Sequence, residues 1–191
     1  EDWQELTGEE QDSALESDIQ SVVADEVTLL TSLVERARLC RSLGPDPKTL
    51  HFLKLLRRLR REENDPRVKV LVFTQFRATQ RSIVRVLEAQ GIETVTVDGT
   101  MGLAERAQSQ AAFRGAAQVL ISTDAGGEGV NLQFAHVVIN WDLPWAPTLL
   151  EQRIGRVDRI GQQVPVRAFN LALADSVDQR VLEVLEAKLA L

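Results

Sequence analysis

The feature that most constrains the fold is a short apolar segment followed by an amphipathic helix pattern, repeated five times after residue 63. The apolar segments are rich in β-branched residues and read VKVLVF, ETVTV, AQVLI, HVVINW and VRAFNL. Their length and composition are typical of buried strands, and apolar residues in the stretches that follow recur at helical spacing. Strands that alternate with helices form a parallel sheet with helices on both faces. We therefore predict an α/β domain over residues 64–191.

Residues 1–63 show a different pattern, without strand-like alternation. Apolar residues recur at helical spacing in VADEVTLLTSLVERARLCRSL and again in TLHFLKLLRRLRREE, and GPDPKT separates the two stretches. We predict an N-terminal helical segment of two or three helices with an acidic start. Cys40 occupies an apolar position of this pattern, so we expect a buried, inert thiol there.

The net charge of −6 is unevenly distributed. Residues 1–30 contain ten of the 28 acidic residues and no Lys or Arg, so the other 18 acidic residues against 22 basic ones give residues 31–191 a charge of +4. No apolar run approaches the roughly eighteen residues of a membrane span, and a single cysteine excludes an internal disulfide. The sequence starts at Glu1 without a signal-like segment, so we expect a piece of a longer cytoplasmic protein, with no membrane contact and no metal site of its own.

Two segments are candidates for phosphate binding. STDAGGEGVN, residues 122–131, follows a strand directly and places three glycines in four positions. Such glycines let backbone N–H groups face an anion, but a tight strand-to-helix turn has the same composition. In QRIGRVDRIGQ, residues 152–162, Arg153, Arg156 and Arg159 are three residues apart and would share one stripe of a helix. A solvated charged face is the alternative, although the guanidinium fork suits a polyphosphate.

VLVFTQF, STDAGGEGVNLQFAHVVINWDLPW and QRIGRVDRIGQ, in this order, resemble motifs four, five and six of the second RecA-like lobe of superfamily-two helicases. More narrowly they resemble the Swi/Snf-type ATP-dependent DNA translocases, and Arg153 and Asp158 are similar to the bacterial branch. The resemblance covers residues 68–191. It implies that ATP and magnesium are held mainly by an N-terminal RecA-like lobe, so that this chain alone does not hydrolyse ATP.

The resemblance also implies roles for single residues. Arg156 and Arg159 resemble arginine fingers that reach the γ-phosphate, and Gln152 and Arg153 resemble supporting residues at the nucleotide that orient the stripe or bridge to motif five. The other positions near the nucleotide are Gly127, Glu128 and Asn131. The positions that resemble contacts to the nucleic-acid backbone are Thr74, Gln75, Arg77, Thr100, Met101, Ser122 and Thr123. For Gln75 and Thr100, stabilisation of a turn is the alternative.

Four aromatic residues near these motifs have more than one interpretation. We expect Phe73 and Phe76 in the core. Trp141 and Trp145 could stack on bases, although core packing or docking of the other lobe is favoured because the segment leaves a strand between prolines. The function implied by the resemblance is the second lobe of a double-stranded DNA translocase. The alternatives are a lobe of a strand-separating RNA or DNA helicase and a non-catalytic nucleic-acid-binding module.

Overall fold

The computed structural model describes residues 8–42, 44, 46–126 and 132–189. Contacts divide the chain into two compact units, Glu1–Asp46 and Pro47–Leu191. The first unit is described as one helix, α1 (Gly8–Ser42). Cys40 is exposed on α1, so the prediction of a buried thiol is wrong. Among the described residues of this unit, α1 has no second element to pack against, and its apolar side chains, such as Val27 and Leu30, are exposed as well.

The second unit contains all five predicted strands, and its described residues form five helices. The bounds are α2 (Pro47–Glu62), β1 (Val70–Phe73), α3 (Arg77–Ala89), β2 (Thr94–Val97), α4 (Leu103–Arg114), β3 (Val119–Ser122), β4 (Val137–Asn140), α5 (Pro147–Ile154), β5 (Arg167–Asn170) and α6 (Val177–Leu189). The predicted α/β class is confirmed. Among the described residues, every helix is too short or too polar to cross a bilayer.

Helix α2 belongs to the layer that covers the sheet. Its buried apolar residues, including Phe52 and Leu56, share one core with Val70 and Val72 of β1. The predicted division at residue 63 rests on a change of sequence pattern, whereas the contact division falls after Asp46. The difference arises because α2 buries its apolar face against the same core as the strands.

The five strands are parallel and lie in the order β2-β3-β1-β4-β5. Alternate strand residues face opposite layers, since Val70 and Val72 pack in the core with α2 and α3, while Leu71 and Phe73 pack with Phe113 of α4. The register aligns the last residues of the strands in one row at the carboxyl edge: Val97, Ser122, Phe73, Asn140 and Asn170. The segments that follow these residues therefore meet at this edge.

Candidate nucleic-acid and nucleotide interface

The segment after β1 is fixed by a carboxylate that comes from the segment after β4. Thr74 is buried, and its hydroxyl donates to Asp142 Oδ2 at 2.6 Å. The backbone N–H of the exposed Gln75 donates to Asp142 Oδ1 at 2.8 Å. Burial raises the pKa of Asp142, while these two hydrogen bonds and the charge of Arg153 act in the opposite direction. Asp142 thus orders the segment in which Thr74 and Gln75 were predicted to contact nucleic acid.

Three further predicted contacts surround Asp98, which follows β2. The backbone N–H and the hydroxyl of Thr100 both donate to Asp98 Oδ1, at 2.8 and 2.6 Å. Arg77 pairs with Asp98 Oδ2 at 3.2 Å, and the backbone N–H of Met101 donates to the Asp98 carbonyl oxygen at 3.3 Å. The hydrogen bond from Thr100 is the main cause of the lowered pKa of Asp98, and Arg77 adds to it. The structure therefore shows the turn-stabilising contact of Thr100 and brings it together with Arg77 and Met101.

The start of the glycine-rich segment is packed tightly against the end of β2. A Cβ on Gly126 would lie 2.5 Å from the Val97 carbonyl oxygen and 2.6 Å from Asp98 Cα, so only glycine fits without a backbone shift. The Ser122 and Thr123 side chains are buried. Ser122 Oγ donates to the Thr123 carbonyl oxygen at 2.8 Å, and Thr123 Oγ1 accepts from the Gly126 N–H at 3.3 Å. The predicted nucleotide contacts Gly127, Glu128 and Asn131 lie outside the described residues.

The three arginines of the sixth motif do not share a helical stripe, and that prediction is wrong. Helix α5 ends at Ile154, so only Arg153 is helical. After Gly155 the backbone tightens, because Arg156 N–H donates to the Arg153 carbonyl oxygen and Val157 N–H to that of Ile154. We call residues 155–161, which carry Arg156 and Arg159, the arginine turn.

Arg153 lies inside the domain, with 2% of its surface exposed. Its Nε and Nη2 donate to the two carboxylate oxygens of Asp124 at 2.7 and 3.0 Å. Its Nη1 donates to Asn140 Oδ1 at 3.1 Å and to the Asp142 carbonyl oxygen at 2.8 Å. The guanidinium also lies over the Phe73 ring, 5.4 Å from its centroid. We call Arg153, Asp124, Asn140, Asp142 and Thr74 the Arg153 cluster. Its ion pair joins α5 to the segment that follows β3, while the role of Arg153 at the nucleotide stays a prediction.

The arginines of the arginine turn are more exposed than Arg153. Arg156 is half-buried, and its carbonyl oxygen accepts from Leu132 N–H at 3.1 Å, so the turn contacts the residue that follows the glycine-rich segment in sequence. Arg159 is exposed, and its Nε donates to the Gly155 carbonyl oxygen at 2.9 Å. Gln152 is exposed on α5. The turn is closed by Gln162, whose Nε2 lies 3.0 Å from the carbonyl oxygens of Gln133, Ala135 and Val157.

The aromatic residues divide into buried and exposed pairs. Phe73 is in the core as predicted, and Trp141 is buried with its ring edge against Phe52 at a centroid distance of 5.6 Å. Phe76 is 60% exposed, so its predicted place in the core is wrong: it precedes the first turn of α3 and points to solvent. Trp145 is 59% exposed. It lines a groove of about 640 Å³ at the carboxyl edge, together with Gln75, Arg77, Thr100 and Thr123.

Comparison with known proteins agrees with this arrangement. The family model of the helicase conserved C-terminal domain matches residues 48–161. The uncharacterized ATP-dependent helicase YqhH of Bacillus subtilis (strain 168) is 37% identical over 183 residues, which cover 96% of this chain and 29% of that protein. The DNA repair protein RAD5 of Cryptococcus neoformans is 36% identical over 144 residues, 73% of this chain and 12% of that protein. The chain spans less than a third of the length of these relatives.

Further matches narrow the type of helicase. The RNA polymerase-associated protein RapA of Vibrio campbellii is 42% identical over 113 residues, 57% of this chain and 11% of that protein. The C-terminal part of the Fun30 ATPase domain is a structural neighbour with a TM-score of 0.66 and 26% identity, covering 72% of this chain and 44% of that one. The E. coli DEAD-box protein SrmB, at a TM-score of 0.63, 24% identity and coverage of 74% and 78%, shows the fold alone. The chain belongs to the helicase conserved C-terminal domain family, as the second RecA-like lobe of a Swi/Snf-type superfamily-two helicase.

Proposed function

We propose that the chain is the second motor lobe of an ATP-driven double-stranded DNA translocase and that Arg156 and Arg159 act as its arginine fingers. The observation that carries the proposal is that the arginine side chains before and after Gly155 differ in exposure. Arg153 is enclosed by its hydrogen bonds, whereas Arg156 and Arg159 lie beyond the end of the helix in the arginine turn, which contacts Leu132 through the Arg156 carbonyl oxygen.

The arginine turn fits the polyphosphate of ATP. Among the described residues, no carboxylate forms an ion pair with Arg156 or Arg159. Negative charge spreads over the transferring phosphoryl oxygens, and a positioned guanidinium stabilises it. Loss of such a group costs roughly a thousandfold in rate, or about 4 kcal/mol. The described residues contain no group of three or more His, Cys, Asp or Glu that could hold a metal ion, and we assign magnesium to the first lobe.

We propose that the groove at the carboxyl edge holds the DNA backbone. Gln75, Arg77 and Trp145 are exposed there and can reach phosphate groups or base faces. Thr74, Ser122 and Thr123 are buried, so in this conformation their hydroxyl groups shape the segments that carry the contacts. For Thr100 and Met101 the DNA role, and for Gln152, Gly127, Glu128 and Asn131 the nucleotide role, stay predictions.

The proposal is tested by ATP turnover of the full-length protein that carries this lobe. Arg156→Ala and Arg159→Ala should each lower DNA-stimulated turnover by roughly a thousandfold. Arg180→Ala, which removes an exposed charge from α6, is the matched control and should leave turnover near the unmodified value. Turnover near the unmodified value in Arg156→Ala and Arg159→Ala would remove the arginine-finger assignment.

The nucleic acid that stimulates turnover tests the choice of substrate. Stimulation by duplex DNA in the absence of strand separation supports a translocase. Stimulation by single strands or RNA with displacement of a labelled strand would instead support a strand-separating helicase. The 191-residue chain by itself should show no turnover until a first lobe is added, because we assign the main nucleotide contacts to that lobe.

A further inference from the structure

Helix α3 carries a basic stripe that extends beyond the proposed ATP and DNA sites. Arg77, Arg81 and Arg85 are four residues apart, so they follow one another on one side of the helix with a rise of about 6 Å per step. Ile83 and Leu87 are buried on the other side, against the sheet. Arg81 and Arg85 are exposed, and neither forms an ion pair with any residue that the structure describes. Two positive charges are thus available to a partner.

These arginines form the rim of a groove between α3 and the edge strand β2. The groove has a volume of about 400 Å³, and its other lining residues are Gln80, Val84, Thr96 and Asp98. Gln80 closes the floor, because its Nε2 donates to the Val97 and Ile121 carbonyl oxygens at 3.2 and 2.9 Å. Asp98 is the one carboxylate among the residues that line the groove. It already accepts a hydrogen bond from Thr100 and forms an ion pair with Arg77. The groove therefore favours a negatively charged ligand.

The groove is continuous with the proposed DNA contact at the carboxyl edge. Arg77 lines both this groove and the groove that contains Gln75 and Trp145. From Arg77 the stripe runs down the side of the sheet to Arg85, a distance of about 12 Å along the helix. The major groove of B-DNA is also about 12 Å wide. If Arg77 lies at the backbone on one side of this groove, Arg85 and the long side chain of Arg81 can reach toward the backbone on the other side.

We propose that Arg81 and Arg85 contact the phosphate backbone of the second strand of a DNA duplex, while the carboxyl edge of the sheet holds the first strand. The inference rests on the proposed DNA-translocating function. It would explain why the lobe binds duplex DNA more tightly than single-stranded DNA, because only a duplex offers a second strand to Arg81 and Arg85. Such contacts carry no base specificity, which suits a motor that moves along any sequence.

The test is DNA binding by the 191-residue chain, measured by fluorescence anisotropy over a series of salt concentrations. The probes are a labelled duplex of mixed sequence and each of its single strands. The double variant Arg81→Ala/Arg85→Ala should bind duplex roughly tenfold or more weakly, and the salt slope should fall by about 1.8, or about 0.9 for each lost phosphate contact. Binding to the single strands should not change. Arg57→Ala/Arg61→Ala removes the same charge from the exposed side of α2 and should leave duplex binding unchanged.

Each other outcome overturns the inference. An equal loss on single strands places the stripe on the first strand, and an equal loss in the α2 control means that net charge alone is responsible. Unchanged duplex binding in the α3 variant, or no duplex binding by the unmodified chain, also rejects the second-strand contact. Circular dichroism confirms that the variants are folded.

The duplex-binding result is separable from the proposed arginine fingers. Arg156→Ala should bind duplex like the unmodified chain, because the arginine turn is assigned to ATP. If Arg156→Ala and Arg159→Ala keep full turnover while the α3 variant loses duplex binding, the arginine-finger proposal fails and the duplex surface stands. If turnover falls in the first pair and the α3 variant binds normally, the inference fails and the proposed function stands.

Discussion

The Arg153 cluster and the arginine turn are adjacent in sequence but place the same residue type in opposite environments. Arg153, on the last turn of α5, is enclosed and donates to Asp124, Asn140 and Asp142. Arg159, six residues later, is exposed and bonded to the backbone of its own turn. The end of α5 at Ile154 separates the two. Equal spacing in a sequence therefore does not imply equal roles once a helix ends within the motif.

The enclosed arginine serves as a fixed point for three segments at the carboxyl edge. Its planar fork binds both carboxylate oxygens of Asp124, which follows β3, while Nη1 reaches oxygens at the end of β4. Asp142 in turn holds Thr74 and Gln75 after β1. The arginine turn starts immediately after this fixed point. We infer that the Arg153 cluster positions the groups that contact ligands, and that the turn itself makes contact.

The largest expected effect comes from breaking the Arg153 cluster. Arg153→Ala leaves the carboxylates of Asp124 and Asp142 without their cationic partner. Removal of one partner of a fully buried ion pair costs about 3 to 5 kcal/mol of the free energy of unfolding, and because the Asp124 side chain is 32% exposed we expect a loss at the lower end of that range. Arg153→Lys should recover part of the loss, because an ammonium group is a point charge that cannot bind Asp124 in the same bidentate way. Urea denaturation of the chain measures both effects.

Arg159→Ala is the matched control for that loss. Its side chain is exposed, so its unfolding free energy should stay within about 0.5 kcal/mol of the unmodified chain. Equal stability of Arg153→Ala and Arg159→Ala would show that the enclosed and exposed arginines do not differ energetically, and the contrast between the two regions would be lost.

A smaller effect is expected at Gly126, which fixes the distance between the glycine-rich segment and β2. In Gly126→Ala the new methyl group meets backbone atoms of Val97 and Asp98 that cannot rotate away, so we expect a loss of about 1 to 3 kcal/mol. Gly115→Ala is the control, since its nearest atoms lie at 3.5 and 3.6 Å. A loss in Gly126→Ala no larger than in the control would show that the close approach relaxes readily.

The sheet and its helices could be predicted because their signal is local. The central strands β1, β3 and β4 are apolar runs rich in β-branched residues and are buried on both faces, while the edge strands β2 and β5 are partly exposed. The helices between them have an amphipathic period, as in α3 with Ile83 and Leu87 on its buried side. Parallel strands bring their carboxyl ends to one edge, so the meeting of the segments that follow β1, β2, β3 and β4 could be expected from the fold class alone.

The partners within the site could not be predicted because they come from segments far apart in sequence. Arg153 and Asp124 are 29 residues apart, and Thr74 and Asp142 are 68 apart, with no periodic pattern that links them. A signal was nevertheless present, since Asp98, Asp124 and Asp142 each stand one or two residues after a strand. Gly155 was a second missed signal, because glycine near the end of a helical pattern often marks its end.

The smallest expected effect concerns how the free energy of unfolding depends on pH. Asp142 and Asp98, the two carboxylates that hold the segments at the carboxyl edge, should contribute to it in opposite directions. Asp142 has a pKa raised above the ordinary 3.8 by burial, so the folded chain binds a proton that the unfolded chain has released. Its contribution to stability is therefore full below 3.8 and is lost as the pH rises through the folded pKa. Asp98 has a lowered pKa, chiefly through Thr100, so its contribution is present above 3.8 and is lost as the pH falls through its folded pKa.

The variants Asp142→Asn and Asp98→Asn distinguish the pH range above 3.8, where Asp142 acts, from the range below 3.8, where Asp98 acts. Relative to the unmodified chain, Asp142→Asn should remove the decline of the urea midpoint above pH 3.8, whereas Asp98→Asn should remove a decline below that pH. The midpoints measured from acidic to neutral pH provide the comparison. If both variants altered the same side of pH 3.8, the assignment of Asp142 as the carboxylate dominated by burial would be wrong, and the enclosed character of the Arg153 cluster would have to rest on its hydrogen bonds alone.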